Sequence, residues 1–452
     1  MEKKKVLKAR DTTRGDVTAG RDAVAGGAMK VAIVCDWLTT VGGAEKVLLR
    51  IHKLFPEAPI YTSKYDPEGI DWFLDAEVKT GWLQVFPSAM RRILGPLRQW
   101  YFSHLDLSEY DLIVSVTGAE AKSVKSGRRL HALKVKNNKG GRSEGRKGTC
   151  GEKCGKENPR GIHISYCHVP TQYYWQMHDD YVKNPGFGVL NPMVRFFFKL
   201  LVRPLRRADL KAAQNPDYFV TISEYAKEAI KKYYGREAVV VHPPVELSDF
   251  CVKRESGAGE RSEKNDGRDV KQRSSCGKPV ENFYVVTSRQ VNWKRLDLAV
   301  KACMMTQRKL VVIGEGPEHK KLVRLAKGSG LVEFLPTMNK KELAKYLQRA
   351  KGYLFPSMEP FGIAPVEALA AGCPVIAYCE GGARDYVQDG KNGILFEEQT
   401  ATSLAEAILK FEKMKFRREK VAKTAVKFDE ARFDMELKNF VKKCEKKNGA
   451  GA

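Results

Sequence analysis

Short apolar runs rich in valine and isoleucine recur along the chain, and helix-like segments separate them. KVAIVCD at 30–36 and IHISYC at 162–167 are examples of such runs. Continuous apolar runs of this length are typical of parallel strands that are buried on both faces. Strands that alternate with helices predict an α/β chain built on doubly wound parallel sheets. The runs that we interpret as strands are Lys30–Asp36, Pro59–Thr62, Asp111–Val116, Ile162–Cys167, Tyr218–Ser223, Asn282–Thr287, Lys309–Gly314, Val332–Leu335, Gly352–Phe355 and Pro374–Tyr378.

Three polar segments interrupt this pattern. Residues 1–28 have no apolar periodicity, and we predict that they form a disordered tail. Residues from about 122 to 160 and from 251 to 279 are rich in Lys, Arg, Gly and Ser, and we interpret them as low-complexity inserts. Together the three segments hold 16 of the 25 net positive charges of the chain. The positive charge is therefore not evidence for a nucleic-acid groove, and we expect no specific nucleic-acid partner.

The cysteine and hydropathy patterns bear on the compartment. Five of the ten cysteines lie in apolar strand-like or helical contexts, as Cys35 and Cys373 do, and no paired framework is visible. This favours a reducing, cytoplasmic compartment. No apolar run reaches the length of a membrane-spanning helix.

The stretch from Tyr353 to Phe396 carries the clearest candidate chemistry. An apolar run ends at Pro356, a loop with Glu359 follows, and a helix is predicted over Ala364–Ala371 with Glu367 inside it. A helix N-terminus presents free N–H groups and a positive dipole end, which suits a phosphate. The two carboxylates could accept hydrogen bonds from hydroxyls on either side of that phosphate. The alternative for either glutamate alone is an ordinary solvated side chain near a helix start.

This stretch resembles the E-x7-E signature of retaining glycosyltransferases of the GT-B fold, family 4. The resemblance extends from Met29 to about Lys447, apart from the two inserts. Further matching motifs are the Gly42-Gly43 turn, Tyr166-Cys167-His168, Arg289 with Lys294, Gly314–Pro317 and Pro243–Val245. Within the group, the sequence resembles mannosyltransferases of polysaccharide and O-antigen assembly.

The resemblance implies two Rossmann-like domains that face each other across a cleft. The first, acceptor-side domain would span 29–245 and the second, nucleotide-sugar-binding domain 246–425. A C-terminal helix within 426–452 would cross back to the first domain, and its end would fray.

The resemblance also implies roles for individual residues. His168 and Glu359 would be catalytic, since both would face the donor sugar. The donor-binding residues would be Gly42, Gly43, Arg289, Lys294, Phe361, Gly362, Ile363 and Glu367. No D-x-D motif is present, so we expect no metal and no cofactor. Without the resemblance, His168 could equally be a histidine that bonds to a neighbouring loop.

The implied function is transfer of a hexose from a nucleotide-sugar to an acceptor hydroxyl of a glycan or lipid-linked saccharide, with retention at the anomeric carbon. Mannose from GDP-mannose is the first candidate. The alternatives are another GT-B nucleotide-sugar enzyme, such as an epimerase, and a non-enzymatic basic adaptor for membranes or nucleic acid.

Two segments mix aromatic and basic residues at helical spacing, Phe86–Leu105 and Asn191–Asp209. One interpretation is a pair of amphipathic helices that pack on the core of the first domain. The other is a basic face that rests on an anionic membrane surface, which would make the protein peripheral at the inner face of the membrane.

Overall fold

The computed structural model describes residues 29–88, 90, 94–128, 161–183, 191–250 and 280–449. The predicted tail at 1–28 and the predicted insert at 251–279 lie outside these residues. So does the part of the first predicted insert from 129 to 160.

The first domain is built on a seven-stranded sheet whose strands are all parallel, in the order β3-β2-β1-β4-β5-β6-β7. Its strands are β1 (Val31–Cys35), β2 (Ile60–Thr62), β3 (Val78–Thr80), β4 (Leu112–Thr117), β5 (Ile162–Cys167), β6 (Tyr218–Thr221) and β7 (Ala238–Val240). Its helices are α1 (Gly43–Leu54), α2 (Gly95–His104), α3 (His178–Lys183), α4 (Asn191–Ala212) and α5 (Glu224–Tyr234).

The second domain is built on a six-stranded parallel sheet in the order β10-β9-β8-β11-β12-β13. Its strands are β8 (Phe283–Thr287), β9 (Lys309–Ile313), β10 (Val332–Leu335), β11 (Gly352–Phe355), β12 (Val375–Tyr378) and β13 (Gly393–Phe396). Its helices are α6 (Leu296–Met305), α7 (His319–Ala326), α8 (Lys340–Arg349), α9 (Ile363–Ala370), α10 (Ala383–Tyr386), α11 (Ala401–Glu412) and α12 (Arg418–Lys423).

The central strands are buried along their whole length because helices cover both faces of each sheet. Every residue of β1, β4, β5 and β11 is buried. This explains why these strands appear in the sequence as continuous apolar runs rather than as alternating ones. In each sheet the strand order reverses beside the first strand, between β1 and β4 and between β8 and β11. Ligands of open α/β sheets bind at the carboxyl ends of strands at such points.

The last described helix, α13 (Glu430–Gly449), returns to the first domain. The Arg50 guanidinium on α1 donates two hydrogen bonds to Asp434, at 2.7 and 2.6 Å, and one to Glu430 at 3.0 Å. Phe433 packs edge-to-face against Tyr166 of β5. These contacts hold α13 against the first domain, although the second domain precedes it in the chain.

One sequence expectation about the first domain needs correction. The insert was predicted to begin at about 122, but Lys122, Ser123 and Val124 are buried in the first domain. Within the amphipathic segment Phe86–Leu105, the described α-helix is α2, and Pro96 stands in its first turn. Proline favours the start of a helix because its missing N–H costs nothing there.

Candidate functional site

A cleft of about 1160 Å³ separates the carboxyl ends of the two sheets. All ten residues singled out from the sequence line it: Gly42, Gly43, His168, Arg289, Lys294, Glu359, Phe361, Gly362, Ile363 and Glu367. They come from four separate stretches of the chain, at 42–43, 168, 289–294 and 359–367, so the fold brings these stretches together.

Two helix N-termini meet at this cleft, one from each domain. Helix α1 begins at Gly43 and helix α9 begins at Ile363, and neither has a side-chain cap at its N-terminus. A Cβ built on Gly43 would lie 3.4 Å from Cδ1 of Ile363, so the two first turns are in contact across the cleft. Uncapped helix N-termini leave backbone N–H groups available to an anion.

Gly362 sets the geometry of the α9 N-terminus. Its φ of 89° is in the left-handed region, and an added Cβ would lie 2.7 Å from Cζ of Phe355 and 2.9 Å from the Tyr386 hydroxyl. The same Tyr386 hydroxyl donates to the carbonyl of Phe361 at 2.9 Å. A side chain at position 362 would therefore both strain the backbone and displace the loop.

The loop that carries Glu359 is packed against a glycine turn. Cβ atoms built on Gly381 and Gly382 would lie 2.3 Å from the Glu359 carbonyl oxygen and 2.4 Å from Cα of Phe361. The Glu359 carboxylate accepts a hydrogen bond from Ser357 at 2.9 Å and forms an ion pair with Lys294. One predicted catalytic residue and one predicted donor-binding residue are thus partners in this structure.

Glu367 is buried one turn into α9. Burial disfavours its carboxylate and raises the pKa of Glu367, while the nearby ammonium groups of Lys46 and Lys340 oppose this rise. The Lys46 ammonium lies 3.8 Å from Oε1 of Glu367 and belongs to the first turn of α1. The pair therefore joins the two domains.

His168 follows β5 and lies against Tyr166, with ring centroids 5.7 Å apart. Burial lowers the pKa of His168 to about 4, so the imidazole is neutral near pH 7. Its Nε2 atom is buried and has no hydrogen-bond partner among the described residues. A buried nitrogen in this position is available to a ligand, because buried polar groups are otherwise nearly always bonded.

Asp36 is a residue of this site that the sequence reasoning did not single out. It follows β1, and its carboxylate accepts hydrogen bonds from Thr117 and from the backbone N–H groups of Gly118, Ala119 and Ala121, at 2.7–3.1 Å. These bonds hold the loop after β4 at the floor of the cleft. The signal was a charged residue at the end of the first apolar run, where ligand-facing side chains are expected.

A second group that the sequence did not reveal lies on the first-domain wall. The Arg98 Nε donates to Glu120 at 2.9 Å, and the Tyr173 hydroxyl donates to the same carboxylate at 2.5 Å. Arg98 also stacks over Trp37 at 4.8 Å. Both Trp37 and Tyr173 line the cleft, so this buried network fixes an aromatic wall opposite the second domain.

Within the described ranges, no group of three or more His, Cys, Asp or Glu side chains is placed to hold a metal ion. Among the helices of those ranges, none combines the length and the apolar character needed to cross a membrane.

The sequence is similar to those of known glycosyltransferases. Residues 270–428 match the family model described as "Glycosyl transferases group 1". An uncharacterized glycosyltransferase of Methanocaldococcus jannaschii is 26% identical over 218 residues, which are 48% of this chain and 52% of that protein. The GDP-mannose-dependent alpha-(1-6)-phosphatidylinositol monomannoside mannosyltransferase of Mycolicibacterium smegmatis is 27% identical over 225 residues, 45% of this chain and 56% of that protein. The chain thus spans about half the length of these curated relatives.

Solved structures resemble the chain over nearly its whole length. The lipopolysaccharide outer core galactosyltransferase WaaB has a TM-score of 0.58 and 16% identity, with 91% of this chain and 99% of WaaB covered. HepE of Anabaena in complex with UDP-glucose has a TM-score of 0.57 and 18% identity, with 92% of this chain and all of HepE covered. The predicted architecture of two Rossmann-like domains is confirmed. The chain has the GT-B fold, and its second domain matches the glycosyl transferases group 1 family, which supports a transferase enzyme.

Proposed function

We propose that the protein is a retaining glycosyltransferase of family 4 that transfers a hexose from a nucleotide-sugar to an acceptor hydroxyl. The observation that carries the proposal is that the two predicted catalytic residues and the eight predicted donor-binding residues line a single cleft between the two domains. The cleft is lined by cationic side chains, carboxylate side chains and the uncapped N-termini of two helices. These groups together suit the phosphates and hydroxyls of a sugar diphosphate.

The leaving diphosphate would lie between the N-termini of α1 and α9. Arg289 and Lys294 follow β8 and supply two positive charges, while the backbone N–H groups of Phe361–Ile363 supply hydrogen bonds. Donors that are fixed before the reaction stabilise the charge that develops as the sugar departs. Because these groups can balance the charge, the proposal requires no metal.

Binding of the donor would exchange partners within the site. Lys294 would turn from Glu359 to the diphosphate, and Glu359 would become free to accept hydrogen bonds from sugar hydroxyls. Glu367 would accept hydrogen bonds from the ribose. His168, which is neutral and has an unpartnered Nε2, would position a sugar hydroxyl.

Retention could proceed through a covalent intermediate or by departure and attack on the same face of the sugar. Asp36 is a carboxylate close enough to His168 to affect its pKa. Its oxygens already accept hydrogen bonds from the loop after β4, so it is poorly placed as a nucleophile. We therefore favour departure and attack on one face, with His168 as a positioning group.

GDP-mannose is the proposed first donor, since one relative is named as a GDP-mannose-dependent mannosyltransferase. A thermal-shift panel of GDP, UDP and ADP with their hexose conjugates tests this choice, because the ligand that binds the native state raises the melting temperature. The conjugate that binds is then mixed with glycan acceptors, and the anomeric configuration of the product is read by NMR.

Three results would contradict the proposal in different ways. Release of nucleotide diphosphate without any acceptor dependence, together with an altered free sugar, would indicate an epimerase. An inverted product would exclude retention. No binding of any nucleotide or nucleotide-sugar would leave a non-enzymatic adaptor.

A lipid-linked acceptor at an anionic membrane surface is the proposed setting. Helix α4 exposes Met193, Phe196, Leu200 and Leu201, and α2 exposes Trp100. The Gln99 side chain donates to the Ala208 carbonyl at 2.7 Å and holds the two helices together. Exposed basic residues on α4, among them Lys199 and Arg203, accompany this apolar surface and could attract anionic lipid.

A further inference from the structure

The ion pair between Lys46 and Glu367 has a feature that the donor-site scheme does not use. The carboxylate belongs to the second domain and is buried, whereas the ammonium comes from the first domain and its side chain is 36% exposed. Glu367 therefore receives its nearest opposing charge only when the two domains face each other as they do in this structure.

The groups around Glu367 show how much its ionisation depends on the Lys46 ammonium. The groups that face it are Lys46 on α1, Lys340 on α8 and Glu246 in the segment after β7. Lys340 is itself paired with Glu246, so a large part of its charge is already balanced. Lys46 is the remaining cation of this set, and burial otherwise favours the protonated form of Glu367.

The protonation state of Glu367 determines what it can bind. An ionised carboxylate accepts hydrogen bonds from both of two adjacent hydroxyls, whereas a protonated one must donate its own proton and loses accepting capacity. Charge-assisted hydrogen bonds are also the stronger ones.

We infer that Lys46 is a positioning residue of the donor site, which holds Glu367 ionised and oriented for the ribose hydroxyls and so makes donor binding depend on domain closure. The contact between Gly43 and Ile363 supports this assignment independently, since it places the first turn of α1 directly against the first turn of α9. The inference rests on the proposed function.

A first experiment tests the pair without any nucleotide. Lys46→Met, Glu367→Gln and the double variant are unfolded with denaturant across pH. At high pH Glu367 is ionised, and Lys46→Met should destabilise the wild type but have much less effect in the Glu367→Gln background. As the pH falls and Glu367 becomes protonated, the coupling should disappear. Equal effects of Lys46→Met in both backgrounds at every pH would overturn the inference.

A second experiment measures binding of GDP, UDP or ADP, whichever binds the wild type, by calorimetry between about pH 5.5 and 8. Removal of Lys46 raises the pKa of Glu367 further, so Lys46→Met should lose affinity at a higher pH than the wild type does. Each unit by which that midpoint moves corresponds to about a tenfold difference in affinity below it. Lys46→Arg should restore the wild-type profile.

Lys53→Met is the matched control, because it removes a lysine from the same helix at an exposed position. It should leave the pH profile unchanged. Identical profiles for Lys46→Met and Lys53→Met would overturn the inference even if nucleotide binds well. If the stability coupling is present but no nucleotide binds to the wild type, the proposed function fails, and the role of Lys46 in donor binding fails with it.

Discussion

The ammonium of Lys122 lies 2.6 Å from Oδ1 of Asp209, and both side chains are almost completely buried. Asp209 also accepts hydrogen bonds from Thr171, Trp175 and Tyr234. Burial opposes the charge of Lys122, but Asp209 outweighs it and raises the pKa of Lys122 well above its usual value. The pair joins the loop after β4 to α4 beneath the wall of the cleft.

Lys122→Met should destabilise the protein strongly, because it leaves the Asp209 carboxylate buried without its cation. Loss of one partner of a buried ion pair typically costs about 3–5 kcal/mol. Denaturant unfolding measures the change, and Lys232→Met at an exposed position is the control. The double variant with Asp209→Asn should recover part of the loss. A Lys122→Met protein as stable as the control would show that the pair contributes nothing.

Gly362→Ala should weaken donor binding and lower the melting temperature, since the residue has a positive φ and its Cβ would meet Phe355 and Tyr386. A non-glycine residue in such a conformation costs about 1–3 kcal/mol. Gly43→Ala is the contrasting variant, because its Cβ would make an ordinary contact with Ile363. It should keep the wild-type melting temperature while donor binding weakens, as the new methyl group faces the cleft. Equal melting temperatures for both variants would contradict this account of Gly362.

Arg289→Ala and Glu367→Ala should affect different kinetic constants. Charge on the diphosphate grows as the sugar departs, so Arg289→Ala should mainly lower kcat, by about 100- to 1000-fold. A ribose contact exists in the ground state and the transition state alike, so Glu367→Ala should mainly raise KM for the donor. Steady-state kinetics with the identified donor measures both. Near-normal turnover in Arg289→Ala with complete loss in Glu367→Ala would reverse the two assignments.

His168 should add no inflection of its own to the pH–rate profile between about pH 5 and 8. Its pKa is lowered to about 4 by burial, so the imidazole gains a proton only below that range. His168→Gln keeps a neutral hydrogen-bonding group and should retain more activity than His168→Ala. If the activity of the wild type fell below about pH 6.5 while that of His168→Gln did not, His168 would titrate at its ordinary pKa, contrary to this prediction.

Vesicles that contain anionic lipid should pellet the protein at low salt and release it at high salt, because screening weakens attraction to the surface. The double variant Lys199→Glu, Arg203→Glu on α4 should pellet less. Lys413→Glu with Lys415→Glu changes two exposed charges in the second domain and should pellet like the wild type. Equal binding to neutral vesicles, or equal loss in both double variants, would count against a membrane face on α4.

The sequence predicted ten of the thirteen strands in the described residues, because buried parallel strands are continuous apolar runs. The three strands that it missed, β3, β7 and β13, lie at the edges of the two sheets. It also identified much of the lining of the cleft, where short motifs such as Gly42-Gly43 lie between a strand and the helix that follows it. Lys122 was missed because its neighbours are lysines, glycines and serines, and its partner Asp209 is distant in the chain. Lys46 was missed because a lysine in the first turn of a helix is ordinarily solvated, and its partner Glu367 is also distant in the chain. Partners that only the tertiary fold brings together have no local pattern.

The return of α13 to the first domain has a consequence for folding during synthesis. The surface of α1 around Arg50, and Tyr166 of β5, remain uncovered until the ribosome has made residues 430–434. The first domain emerges long before that, yet part of its packing must wait for the second domain to be translated. Domains generally fold as units in order of emergence. In this protein the docking of α13 would complete the packing of the first domain. A nascent chain halted after residue 425 should therefore be cleaved by protease around α1 more easily than the full-length protein.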